Sequence, residues 1–305
     1  MEELPHLATL ERVENQELYS PVIAQEPTVN PDFSTIVIAD DPPADTGRRI
    51  TFAFIAFIAW VVSVGFVAFI PAMFLYPYIA SRGISLSDSA QVIEFAKNDP
   101  NAIFIQIIAI IPAHILTFLL TWLLISQGRR YRFLKTLGWE RGGLKWWHYI
   151  AILASFLAIA IVVGSYFPEQ ENDLVRMLQS SRSAVYLIAF VATFSAPFIE
   201  EVIYRGILYS AFQRAFGVTA AFLLVTTLFS LVHVPQYYPS YSTIFLLTLL
   251  SLTLTSIRVY SNSLLPCVIL HTMFNGFQSI LLLIEPLIQK PDHSDAAVAF
   301  FSIFK

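Results

Sequence analysis

Residues 50–80 read ITFAFIAFIAWVVSVGFVAFIPAMFLYPYIA. No charged side chain falls between Arg49 and Arg82. A helix needs about 20 predominantly apolar residues to cross the hydrocarbon of a bilayer, so this run predicts a membrane span. Six more apolar runs follow: Ala102–Ser126, His148–Phe167, Ser183–Ser210, Val218–Val234, Thr243–Ile257 and Leu264–Leu287. The expected fold is all-α, a polytopic integral membrane helix bundle of about seven transmembrane helices. Pro71 and Pro77 interrupt the long first run and leave the count between six and eight.

Composition supports the same reading. The 305 residues are 56% hydrophobic and 13% charged, against roughly 45–50% and about 25% in soluble domains. That balance excludes a disordered protein, a nucleic-acid binder and an ordinary cytosolic enzyme. The single cysteine, Cys267, excludes an intrachain disulfide framework, and its apolar surroundings read as burial.

Charge divides the chain. Residues 1–47 carry ten acids, a scatter of prolines and only Arg12 as a base. Such a stretch buries too little apolar surface to offset its ordering entropy and reads as an acidic, disordered cytoplasmic tail. It lacks the basic start and apolar run of a signal peptide. Residues 48–182 hold the N-terminal transmembrane helices and the basic loop 127–147. There Arg129, Arg130, Arg132, Lys135, Arg141 and Lys145 face one acid, Glu140. Excess Lys and Arg stay in the cytoplasm, so this loop and the N-terminus are assigned inside. Residues 183–287 form a second group of helices, and 288–305 a C-terminal tail.

Charged groups within a span cost several kcal/mol unless paired or hydrated, which makes them functional candidates. Here they cluster in the last third of the chain: Glu200, Glu201 and Arg205; His233; His271 with Asn275. Glu201 and Arg205 are spaced i,i+4 and can pair on one helix face. Glu200 is rotated by about 100° and points elsewhere. His271 and Asn275 also share a face, as do Phe229 and His233. Glu200 precedes Phe216 by 16 residues and His233 follows Gly217 by 16. A hairpin turning at Gly217 sets both about 24 Å from the turn, on adjacent antiparallel helices. His271 follows the Ser261–Ser263 turn on the same membrane side, nominally shallower by about 12 Å. Pro197 removes a backbone hydrogen bond to Thr193 and is expected to kink the helix just before Glu200.

A carboxylate, two imidazoles and an amide in a low-dielectric pocket can activate water and stabilise an oxyanion. Glu200, His233 and His271 could equally ligate zinc with one position open for water. The set supports peptide hydrolysis with or without a metal. The chain has no His-Glu-x-x-His, Gly-x-Ser-x-Gly or Gly-x-Gly-Asp motif.

Glu200-Glu201-Val-Ile-Tyr-Arg205, then Phe229 to His233, then His271 to Asn275 resembles the type II CAAX prenyl protease family. That family is also called the ABI or CPBP family of intramembrane metalloproteases. The likeness covers about residues 184–285 and makes 183–287 the expected catalytic core. It implies that Glu200 activates water and that His233 assists or ligates. His271 and Asn275 polarise the scissile carbonyl, or His271 binds metal. Glu201 and Arg205 are structural or orient substrate. The implied partners are membrane lipid and a peptide or lipidated protein, and no nucleic acid. The implied location is the plasma (inner) membrane of a bacterium, crossed several times.

Each residue also has a plainer reading. Glu201–Arg205 is a buried ion pair fixing helix register, and Glu200 an interface carboxylate. His233 sits at a helix end, and His271 with Asn275 is interhelical glue. His114 reads as a satisfied core histidine. The competing functions are a non-catalytic immunity factor or scaffold, and a small-solute transporter. No repeat symmetry of the kind transporters show is visible in the sequence.

Overall fold

The computed structural model describes residues 46–127, 129–167 and 182–288, with side chains through residue 284. The acidic tail, apart from its last two residues, and the C-terminal tail beyond residue 288 lie outside the described residues. The chain is a polytopic helix bundle. Seven of its described helical segments are long and apolar enough to cross a membrane.

The first is α1 (Thr46–Ser81). The polar loop expected after it contains a short helix, α2 (Ser89–Asn98). The Asp88 side chain caps α2, accepting from Gln91 N–H at 3.1 Å. Val92 and Phe95 of α2 pack on Leu75, Tyr78 and Ile79 of α1. This amphipathic piece is too polar to read as a span, and tertiary packing holds it. The next span is α3 (Pro100–Ile108) followed by α4 (Ile110–Ser126). Pro112 has no N–H for the Ile108 carbonyl, and the helix resets at Ala109. Within the basic segment lies one turn, α5 (Phe133–Thr136).

Then come α6 (Trp146–Tyr166), α7 (Arg182–Phe216), α8 (Val218–Tyr237), α9 (Tyr241–Ser261) and α10 (Leu265–Ile288). Gly217, at φ +85°, ends α7 and starts the hairpin into α8. Helix α10 packs against α6, α7 and α9, while α8 packs on both α7 and α9. Helix α1 covers α3, α4 and α7. Its small residues Ala53 and Ala56 let it approach Tyr204, Leu208 and Phe212 of α7 closely. On its outer side Phe54, Phe69 and Met73 are exposed, an apolar surface suited to lipid.

The basic segment is strapped to the α9–α10 turn. Leu264 N–H donates to the Gly138 carbonyl at 2.8 Å. Gly142 lies at φ +58°, where a Cβ would fall 2.5 Å from Ser261 Cβ. Both the conformation and the space demand glycine there.

Candidate active site

Glu200 and Glu201 sit where α7 departs from a regular helix. Residues Val191–Ser195 and Val202–Leu208 are π-helical, and only Ala196–Glu201 between them is α-helical. The cause is local. Ala196 N–H bonds to the Val191 carbonyl, five residues back. In that wider register the Ala192 carbonyl faces the nitrogen of Pro197, which carries no hydrogen. The Asn275 side chain on α10 fills the gap, donating Nδ2–H to Ala192 O at 2.9 Å. Proline therefore widens the helix register instead of only kinking it, and Asn275 satisfies the carbonyl it leaves bare.

Glu201 is fully buried. Its Oε1 accepts from Arg205 Nη1 at 2.9 Å and from His271 Nδ1 at 2.8 Å. Its Oε2 has no hydrogen-bond partner. Arg205, also fully buried, reaches α9 with Nη2 and Nε. Nη2 reaches Ser251 O at 3.0 Å and Ser251 Oγ at 2.9 Å, and Nε reaches Thr255 Oγ1 at 3.4 Å. Its guanidinium carbon lies 4.7 Å from the Phe229 ring centroid. One ion pair thus joins α7, α9 and α10. Arg258 of α9 is buried behind this pair. Its Nε donates to the Arg205 carbonyl at 3.0 Å.

Glu200 points the other way, as the helical phase requires. Its side chain is 24% exposed, and its Oε2 is 3.8 Å from His271 Nε2. A carboxylate only accepts, so His271 carries its hydrogen on Nδ1 toward Glu201 and presents Nε2 to Glu200. His233 Nδ1 is 2.7 Å from the Phe229 carbonyl. That oxygen also only accepts, so neutral His233 has its hydrogen on Nδ1 and a lone pair on Nε2. Phe229 organises both imidazoles, with ring centroids 4.7 Å from His233 and 6.0 Å from His271.

Glu200, His233, His271 and Asn275 all line one cavity of about 1040 Å³. Glu201 and Arg205 lie behind its wall. The geometry thus gathers the six residues picked out by spacing, four at the cavity and two in support. The nominal depth difference of His271 does not keep it from Glu200, whose Oε2 lies 3.8 Å from its Nε2.

Two groups were not singled out by spacing. His114 of α4 is a buried, satisfied histidine, its Nδ1 2.9 Å from Ser195 Oγ, yet it also lines the cavity. Tyr204 of α7 lines it too, one helical turn from Glu200. Its hydroxyl accepts from Trp60 Nε1 on α1 at 3.0 Å. Both depend on partners far away in sequence, which no local spacing rule reveals.

Zinc held by Glu200, His233 and His271 does not fit this arrangement. Among the described residues no three His, Cys, Asp or Glu groups are gathered so as to hold a metal ion.

No curated protein and no solved structure matches the chain. Residues 182–277, the segment that carries all six motif residues, match a family model described as type II CAAX prenyl endopeptidase Rce1-like.

Proposed function

We propose that this chain is an intramembrane endopeptidase of the CAAX-protease-like type, working through a glutamate-activated water. The observation that carries the reading is the contrast between two adjacent acids. Glu201 is sealed in an ion pair, whereas Glu200 is accessible in the cavity with His271 Nε2 beside it. Support comes also from the family match over the same segment.

In this reading Glu200 takes a proton from a water held against the His233 Nε2 lone pair. The water oxygen attacks the scissile carbonyl carbon, and the carbonyl π electrons move to its oxygen. The second amide hydrogen of Asn275 polarises that oxygen, and His271, bound to Glu201 through Nδ1–H, does so when its Nε2 also carries a hydrogen. The Tyr204 hydroxyl adds a third donor, since it accepts from Trp60 and its own proton has no acceptor among the described residues. Glu200 then returns the proton to the amide nitrogen as the C–N bond breaks. Glu201 fixes the orientation and tautomer of His271, and Arg205 fixes Glu201.

The substrate is a peptide bond of a membrane-associated chain, with a lipidated protein as the form the family likeness suggests. A quenched fluorogenic S-farnesylated peptide with a free C-terminal tripeptide, in proteoliposomes, is the probe. Glu200→Gln is expected to insert and fold normally and to lose activity by roughly 10²–10⁴-fold, the usual share of a general base. Full turnover by Glu200→Gln would refute the assignment. No Glu200-dependent hydrolysis in the wild-type protein would favour a scaffold of the same fold.

A further inference from the structure

The cavity is one-sided. Helices α1, α4 and α6 line it near the middle of their spans, whereas α7, α8, α9 and α10 each line it over only part of their length and always toward the same end. Helix α10 enters the lining at His271, about 9 Å from its start, and stays in it through Leu283. Helix α9 lines it from Thr243 to Leu250 and then leaves it for the eleven residues to Ser261. Helix α7 lines it from its first residue, Arg182, to Tyr204 and contributes nothing from there to Phe216. Helix α8 joins only at Phe229 and remains to its last residue, Tyr237.

Exposure follows the same direction. At the closed end Phe229 and His271 are buried, while toward the other end Arg182, Gln236 and Gln278 are lining residues open to the surface.

The closed end is the end that carries the basic segment. Gly138 and Gly142 are strapped to the turn where α9 stops and α10 begins. Six bases against Glu140 lie there. At the open end, the described connection between α1 and α3 carries Arg82 and Lys97 against Asp88, Glu94 and Asp99. Lys and Arg excess marks the cytoplasmic face, so the floor of the cavity faces the cytoplasm and its mouth faces away.

We propose that the site is entered from the non-cytoplasmic face of the membrane. Its substrate class is then a peptide segment presented outside the cytoplasm by a membrane-anchored chain. That class rests on the peptidase reading; the direction of entry does not.

The test needs no activity. Cys267, the one native cysteine, is fully buried, so a Cys267→Ala background leaves a clean reporter. Gln278→Cys probes the cavity wall, Gln236→Cys the mouth, and Lys135→Cys the exposed basic segment. A membrane-impermeant sulfonated maleimide is applied to right-side-out and to inverted vesicles of the expression host. Gln278→Cys and Gln236→Cys are expected to label in right-side-out vesicles and to be protected in inverted ones, with Lys135→Cys the reverse.

Labelling of Gln278→Cys from the same face as Lys135→Cys overturns the proposal. So does labelling of Gln278→Cys from both faces, which would describe a channel. So does silence of Gln278→Cys from both, which would describe a sealed cavity. Size-exclusion elution matching the parent shows that each variant is folded. The expected labelling pattern without hydrolysis would sink the peptidase reading alone.

Discussion

Trp60 Nε1 donates to the Tyr204 hydroxyl at 3.0 Å, so the phenol oxygen has used one lone pair and kept its proton. A donated hydrogen bond polarises the acceptor and strengthens its own O–H as a donor. If that proton meets the developing oxyanion, Tyr204→Phe should lower kcat by about 10–10³-fold with KM little changed, since one oxyanion donor is worth up to that much. Trp60→Phe should lower kcat less, and the double variant should be no slower than Tyr204→Phe alone. Independent, multiplying effects of the two substitutions would show that Trp60 does not act through Tyr204. Steady-state kinetics on the farnesylated peptide reads all three variants. At this scale the sequence was legible wherever partners share a helix. The i,i+4 spacing paired Glu201 with Arg205, and a rotation of one residue turned Glu200 away from them. It was silent on Trp60 with Tyr204, which are 144 positions apart, and on the cavity position of His114. Such contacts exist only after the helices pack.

Helix α7 shows how one backbone defect serves the site. Pro197 lacks an N–H, Ala196 bonds five residues back, and the Ala192 carbonyl is left for Asn275. π-Helical turns inside α-helices recur at functional sites because they shift side chains off the regular phase. Here they flank the six residues that end in Glu200 and Glu201. Asn275→Leu removes the donor and should cost roughly 1–3 kcal/mol, the penalty of an orphaned acceptor. In a Pro197→Ala background residue 197 has an N–H to offer Ala192 O, so Asn275→Leu should cost measurably less. Thermal unfolding in one detergent, run as a double-mutant cycle, reads the coupling; additive losses would rule out the shared carbonyl. The end of α7 at Gly217 was readable, because glycine past a helix terminus has a local cause. The π register was not, because a proline inside a helical pattern is compatible with a kink, a break or a widened turn. The choice between them depends on which side chain, on another helix, reaches the bare carbonyl.

The family-matched segment holds the motifs but does not enclose the cavity by itself. Trp60 and Ser63 of α1 and His114 and Thr117 of α4 also line it, and all four precede residue 182. Seven apolar runs were enough to read the bundle from the sequence, since span length is a property of each run alone. Which run covers which is a matter of shape, and shape is carried by small residues whose meaning appears only against a partner. Ala53 and Ala56 show this. In lipid there is no hydrophobic gain from moving an apolar helix onto another, so close packing of small residues has to hold α1 in place. They are nearly fully buried against Tyr204 and Phe212. Ala56→Leu inserts three heavy atoms into that contact and should cost about 1–3 kcal/mol, the usual range for overpacking. It should also lower kcat, because displacing α1 pulls Trp60 from the Tyr204 hydroxyl. Phe69→Leu, on the lipid-facing side of the same helix, changes a larger side chain and should alter neither melting temperature nor rate. If both substitutions behave alike, α1 is only an anchor. If Ala56→Leu melts early and also loses rate while Phe69→Leu does neither, the helix outside the matched segment is a working wall of the site.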